Sequence, residues 1–151
     1  MKKKFGKLPG VPSKLIKLAL KDLKLVEKDR RYRISMNTTW HEPNGKCTVC
    51  FAGAVMAKAL KVSPKEEATP WSCEDASDAL KALDEFRQGN VANGLWIIGI
   101  KEQSLKADDD GNYINYAGRF DRKIISYSKR TKKKFHQQMQ KLADDLKRSG
   151  Y

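Results

Sequence analysis

The segment from Trp40 to Ala57 constrains the fold of this chain more than any other stretch of its sequence. It contains two of the three cysteines, a Pro-Asn-Gly turn signal and a run of small apolar residues. The spacing of its apolar residues predicts a helix from about Thr48 to Leu60. A glycine inside a helix costs about 1 kcal/mol relative to alanine, so Gly53, together with Ala57, indicates close approach by another helix. We therefore predict that this helix is central and buried.

Two amphipathic helices are predicted on either side of this segment. The first runs from about Lys14 to Lys28 after an N-cap at Ser13, and its core stripe is Ile16, Ala19, Leu20, Leu23 and Val26. The last runs from Ser128 or Thr131 to Arg148, with Phe135, Met139, Leu142 and Leu146 as its apolar stripe. Each helix has one face for the core and one face for charge.

The remaining elements complete a mainly α fold. Ser72, with Asp75 three residues later, predicts a further helix that ends near Gln88, and its buried face is Ala76, Ala79, Leu80, Leu83 and Phe86. Polar and apolar residues alternate over residues 30–36, as is typical of a short strand. We expect a flexible basic arm over residues 1–12 and a single helical domain over residues 13–151. The expected architecture is a compact bundle of four or five helices, with room for one or two short strands.

The net charge of +13 is concentrated near the two ends of the chain. Residues 1–33 contain twelve Lys or Arg against three acids, and residues 119–141 contain nine against one. No apolar run approaches the ~18 residues of a membrane span, and the amino terminus lacks the pattern of a signal peptide. We expect a cytoplasmic protein with reduced cysteines and no membrane partner.

The basic residues near both ends define the predicted anion-binding surface. On the first helix, lysines recur at intervals of three and four, whereas on the last helix they crowd the N-terminus, where the helix dipole is already positive. That placement works against helix stability and favours an anion. A solvated face or a membrane-surface helix are the alternative interpretations of the first stripe. The candidate contacts are Lys14, Lys17, Lys21, Lys24, Arg119, Arg122, Arg130, Lys132, Lys133 and Lys134.

The cysteines are compatible with several kinds of chemistry. Cys47 and Cys50 could join Cys73 and His41 in a zinc site, but structural zinc sites usually present a second close pair. A redox dithiol or a cysteine nucleophile assisted by His41 are further alternatives. Buried core cysteines explain the pattern most simply, so we favour no metal and no cofactor. The chain also lacks a phosphate-binding Gly loop and the common hydrolase and metalloprotease motifs, which argues against an enzyme.

A family resemblance rests on three short pieces of sequence. They are Trp40-His41, then Cys47-x-Val49-Cys50-x-Ala52-Gly53-Ala54-Val55-Met56-Ala57, then Leu80-x-Ala82-Leu83-x-x-Phe86-Arg87-x-Gly89. This pattern resembles small uncharacterised accessory proteins carried by tailed bacteriophages, over roughly residues 32–148. The resemblance implies an accessory role in the cytoplasm of an infected host. It implies no activity and no catalytic residues.

Three functions follow from these patterns. The leading one is a non-enzymatic accessory protein that binds nucleic acid, or a host complex associated with nucleic acid, through its lysine-rich surface. The second is a pocket protein that sequesters a small anionic ligand such as a nucleotide, with Trp40, Trp71, Phe120 and Tyr127 as candidate stacking residues. The third is a direct inhibitor that docks on an acidic host protein.

Overall fold

The computed structural model describes residues 8–36, 40–41, 45–77, 79–80, 83, 125–148 and 150. Over these residues the protein is mostly helical, with one small mixed sheet. The predicted helical class is therefore confirmed. Residues 1–7 of the arm predicted over 1–12, residues 90–124 and part of the helix predicted to end near Gln88 lie outside the description.

Helix α1 spans Pro12–Glu27, and its first residue explains where it begins. Proline has a fixed φ and no N–H, so it suits the first turn, where the N–H would be unpaired anyway. The N-cap is Val11 and not Ser13, which lies buried inside the first turn, so that cap prediction is wrong. The predicted core stripe is confirmed, because all five of its residues are buried.

Three short strands form the sheet, where the sequence predicted one or two. They are β1 (Tyr32–Ile34), β2 (Trp40–His41) and β3 (Cys47–Val49), in the order β1-β3-β2. Strand β3 pairs in parallel with β1 and antiparallel with β2. Gly45 precedes β3 at a φ of +102°, a conformation that favours glycine.

Helix α2 spans Phe51–Lys58, so it begins three residues later than the sequence predicts. Residues 47–49 are a strand because they pair on both edges, and two-sided pairing overrides their helical periodicity. Phe51 to Ala57 are all buried, which confirms a central helix. A helix that is apolar on every side is typical of the interior of a domain.

The segment after α2 contains two 3-10 turns, Pro70–Ser72 and Glu74–Ala76, before helical backbone resumes at residue 77. The reciprocal cap here joins Thr69 and Ser72, so the predicted role of Ser72 as the N-cap facing Asp75 is wrong. The predicted buried face holds at Ala76, Ala79, Leu80 and Leu83.

Helix α3 spans Lys132–Arg148 and closes the core. All four residues of its predicted apolar stripe are buried. Phe135 meets Phe51 of α2 edge to face, with ring centroids 6.0 Å apart. Helix α1 packs against both α2 and α3, so one continuous apolar core joins all three helices.

Candidate functional site

Helices α1 and α3 run antiparallel, held by one polar bridge near each end. Lys17 Nζ lies 3.1 Å from Asp144 Oδ1, and His136 Nε2 lies 2.5 Å from Glu27 Oε1. The C-terminal end of α1 is therefore beside the N-terminal end of α3. This packing brings basic segments that are about a hundred residues apart in sequence to the same end of one helix pair.

The inner bridge is a three-residue polar cluster. The side chains of His136 and Glu27 are only 11% and 13% exposed, and Tyr127 hydrogen-bonds to the same carboxylate. Burial, followed by the Glu27 carboxylate, raises the pKa of Tyr127 well above its ordinary value, so the phenol stays protonated as a donor. With Nε2 facing the carboxylate, His136 Nδ1 is buried without a hydrogen-bond partner within the described part of the chain. The cluster has the character of a structural clamp.

The outer bridge is more exposed. The side chains of Lys17 and Asp144 are 38% and 46% exposed, and Gln140 also donates a hydrogen bond to Asp144 at 3.2 Å. The hydrogen bond from Lys17 lowers the pKa of Asp144. Lys17, which the sequence placed among the anion contacts, thus already has a carboxylate partner.

Exposed basic side chains surround the end where α1 finishes and α3 begins. The acids that the structure describes at this end are paired: Glu27 contacts His136, and Asp29 is bonded to Arg31 and to Lys58, each at 2.8 Å. The hydrogen bonds from Arg31, and then from Lys58, hold the pKa of Asp29 well below its ordinary value. The exposed cations of this end, which we call the basic end, are Lys24, Lys28, Arg30, Lys129, Arg130, Lys132, Lys133 and Lys134.

The other predicted anion contacts divide into two groups. Lys14 and Lys21 are exposed on α1, where the sequence expected them. Arg119 and Arg122 lie outside the described residues, as does Phe120 of the predicted stacking set. The candidate surface therefore rests on the two helices and on the residues that adjoin them, Lys28, Arg30, Lys129 and Arg130.

The three aromatic candidates that the structure describes have different surroundings. Tyr127 packs edge to face on Phe135 at 5.3 Å, so its ring belongs to the core. Trp40 donates its indole N–H to the carbonyl of Glu66 at 2.8 Å and packs on Tyr32. Trp71 is 64% exposed, on the first 3-10 turn.

The cysteines lie in the core. Cys47, Cys50 and Cys73 are at most 1% exposed and form no disulfide, and burial raises the pKa of the Cys73 thiol. Within the described ranges, no three His, Cys, Asp or Glu side chains converge in a way that could hold a metal ion. The side chain of His41 lies outside the description.

Sequence reasoning missed a groove between α1 and α3 and the residues that line it. The groove has a volume of about 560 Å³ and is lined by Leu20, Lys24, His136, Gln137, Gln140 and Lys141. Residues 137, 140 and 141 are spaced so that they share one polar face of α3, and this spacing could have identified them from the sequence. The contact between residues 27 and 136 gives no such signal, because 109 residues separate them.

Comparisons with protein-family models, curated proteins and solved structures gave no match to this chain. Where the structure describes the chain, no helix is both long enough and apolar enough to cross a membrane.

Proposed function

We propose that this protein is a non-enzymatic accessory protein that binds nucleic acid, alone or within a host complex, through the basic end of its α1–α3 pair. The observation that carries the proposal is the clustering of eight exposed cations where α1 ends and α3 begins. Glu27 and Asp29, the acids described beside them, already have cationic or histidine partners. Unbalanced positive charge on one face attracts polyanions over long range. The scaffold proposed for this face is a helical domain of four or five helices.

The N-terminus of α3 is the strongest feature of this face. Lys132, Lys133 and Lys134 are exposed in its first turn, which contains no acidic residue. The helix dipole places about half a positive charge there, so each lysine costs a few tenths of a kcal/mol in the unbound protein. A phosphate group offsets that repulsion and can accept hydrogen bonds from backbone N–H groups of the first turn. Three lysines at the N-terminus of α3 destabilise the free helix, so anion binding explains their position better than helix stability does.

Fluorescence anisotropy with labelled single-stranded DNA, duplex DNA and RNA tests the proposal. We expect binding at 50 mM salt that weakens steeply by 200 mM, because phosphate contacts release condensed counterions. Replacing Lys132, Lys133 and Lys134 by glutamine should reduce the affinity by at least about tenfold at low salt and flatten the salt dependence. It should also raise the melting temperature, because it removes the repulsion at the helix N-terminus.

A matched triple variant, in which Lys46, Lys61 and Lys65 become glutamine, removes the same charge from exposed positions elsewhere in the chain. Its affinity should stay within about threefold of the parent protein, because only the general charge effect is lost. Absence of binding to all three nucleic acids at 50 mM salt would refute the proposed function. Equal losses from the two triple variants would refute the assignment to the basic end.

A further inference from the structure

The groove between α1 and α3 lies between the two bridges that hold these helices together. On α1, Leu20 and Lys24 lie between the bridge residues Lys17 and Glu27. On α3, the lining runs from His136, which is part of the inner bridge, to Lys141, which precedes Asp144 of the outer bridge. The carboxylates of the two bridges, Glu27 on α1 and Asp144 on α3, already have partners. Glu27 is taken by His136 and Tyr127, and Asp144 is taken by Lys17 and Gln140.

Two lysines face this groove without a counter-charge. In the described part of the chain, neither Lys24 nor Lys141 forms an ion pair, whereas Lys17 and Lys58 both do. Among the residues that the structure describes, no carboxylate lines the groove. Gln137, which is exposed beside the lysines, adds an amide that can donate to an oxygen. Paired lysines with an adjacent amide and no acid match the chemistry of a phosphate group, which offers charge and several acceptor oxygens.

We infer that this groove is a phosphate seat, in which Lys24 and Lys141 contact one phosphate of a nucleotide unit and Gln137 donates to it. The inference rests on the proposed function and deepens it, because it names a specific site next to the more open basic end. The phosphate can belong to a nucleic-acid backbone or to a free nucleotide. Leu20 supplies the apolar part of the lining, against which a sugar or base can pack. His136 acts only as part of the wall, because its Nε2 is held by Glu27 and its Nδ1 is buried.

The clamp explains why the seat is preformed. The buried Glu27–His136 bridge fixes the spacing of the helices at one end, and the Lys17–Asp144 bridge fixes it at the other. The lysines between them therefore project from two rigid helices and not from loops. A preorganised pair loses less side-chain and backbone freedom on binding than the same residues on a loop would lose.

The test is a double variant in which Lys24 and Lys141 become glutamine, assayed on the full chain. Its matched control replaces Lys46 and Lys65, which are exposed and outside the groove. Melting temperatures should confirm that both variants fold. We expect the groove variant to lose at least about tenfold in oligonucleotide affinity at 50 mM salt and about two units of salt slope. The control should stay within about twofold.

A second arm separates the two sources of phosphate. Adenosine monophosphate and inorganic phosphate are titrated into the parent protein and both variants, with binding followed by calorimetry. Saturable binding of the mononucleotide that the groove variant loses supports the seat for free nucleotides. Loss of oligonucleotide affinity alone supports the seat for a nucleic-acid backbone.

Two results would overturn the inference in distinguishable ways. If the parent protein binds oligonucleotides and the groove variant matches the control with both oligonucleotides and adenosine monophosphate, the seat is refuted and the proposed function stands. If the parent binds neither oligonucleotides nor nucleotides at low salt, the proposed function is refuted, and the seat falls with it.

Discussion

Helix α1 packs against two partners by different physical means. Toward α2 the contact is almost wholly apolar, because every residue from Phe51 to Ala57 is buried. Toward α3 the apolar contact is flanked by charged and polar bridges, and a groove remains between them. Both contacts bury apolar side chains in one continuous core, so both hold the fold together. The α1–α3 contact in addition arranges charge at the surface.

The two inward-facing acids of α1 also differ, in how many hydrogen-bond partners their carboxylates have. Glu27 meets α3 and has two partners, His136 and Tyr127. Asp22 is 3% exposed and is associated with the backbone N–H of Ala59, just after α2, while its Oδ2 has no partner within the described residues. One acid is satisfied and the other is only half satisfied. The difference shows that burial alone does not determine what a carboxylate contributes to stability.

The largest expected effect is at the apolar contact. Replacing Phe51 by alanine should lower the free energy of unfolding by about 3–5 kcal/mol, because it opens a cavity and removes the edge-to-face contact with Phe135. Urea unfolding followed by circular dichroism measures the change.

Leu25, which is 45% exposed on α1, provides the control. Its replacement by alanine should change stability by no more than about 0.5 kcal/mol. If the alanine variant of Phe51 does not fold, Phe51→Leu should still unfold at lower urea than the parent. An effect at Phe51 no larger than that at Leu25 would contradict the assignment of α2 as the centre of the fold.

The next effect tests the clamp between α1 and α3. Replacing Glu27 by alanine should lower the free energy of unfolding by about 2–4 kcal/mol, because it leaves the half-buried His136 and Tyr127 without their shared acceptor. The same urea titration measures it. Lys17→Ala removes the more exposed bridge and should cost no more than about 0.5 kcal/mol. Equal losses of unfolding free energy in the two variants would show that the inner bridge stabilises the fold no more than the outer bridge does.

The contrast between these interfaces also marks how far the sequence alone can predict the structure. The burial of α1 and α3 follows from side chains three and four residues apart, and the stripes from Ile16 to Val26 and from Phe135 to Leu146 were predictable for that reason. The start of α2 was not, because residues 47–49 become a strand only when β1 and β2 pair with them. Local propensity cannot register a pairing that forms across the fold.

The candidate site divides in the same way. Lysine spacing on α1 and the lysine cluster at the start of α3 predicted exposed charge, and those positions are exposed except for Lys17, which is half-buried. What spacing could not predict is which lysines would find a carboxylate. Lys17 does so only because α1 and α3 pack antiparallel, and Lys24 and Lys141 face the groove for the same reason. The site is a product of helix packing, and packing between distant segments leaves no local periodicity.

The smallest expected effect, at Asp22, has a distinctive dependence on pH. Burial raises the pKa of Asp22 from 3.8 to about 6, against the opposing influence of Ala59 and the nearby lysines. The folded state thus binds this proton more tightly than the unfolded state does between about pH 4 and 6. The contribution of Asp22 to stability is therefore most favourable below that window and is lost as the pH rises through it. At neutral pH the fold contains a buried, ionised and half-bonded carboxylate.

Replacing Asp22 by asparagine removes this titration and keeps the shape of the side chain. We expect the variant to be more stable than the parent by about 1 kcal/mol at pH 7.5 and to lose that advantage by pH 4, so that the difference between the two proteins shifts by about 2 kcal/mol. Urea titrations of both proteins at the two pH values measure the shift. The other carboxylates, including Asp29, titrate alike in both proteins and cancel. A constant difference would mean that folding leaves the pKa of Asp22 unshifted, and burial at the α1–α2 contact would then not disfavour the charged carboxylate.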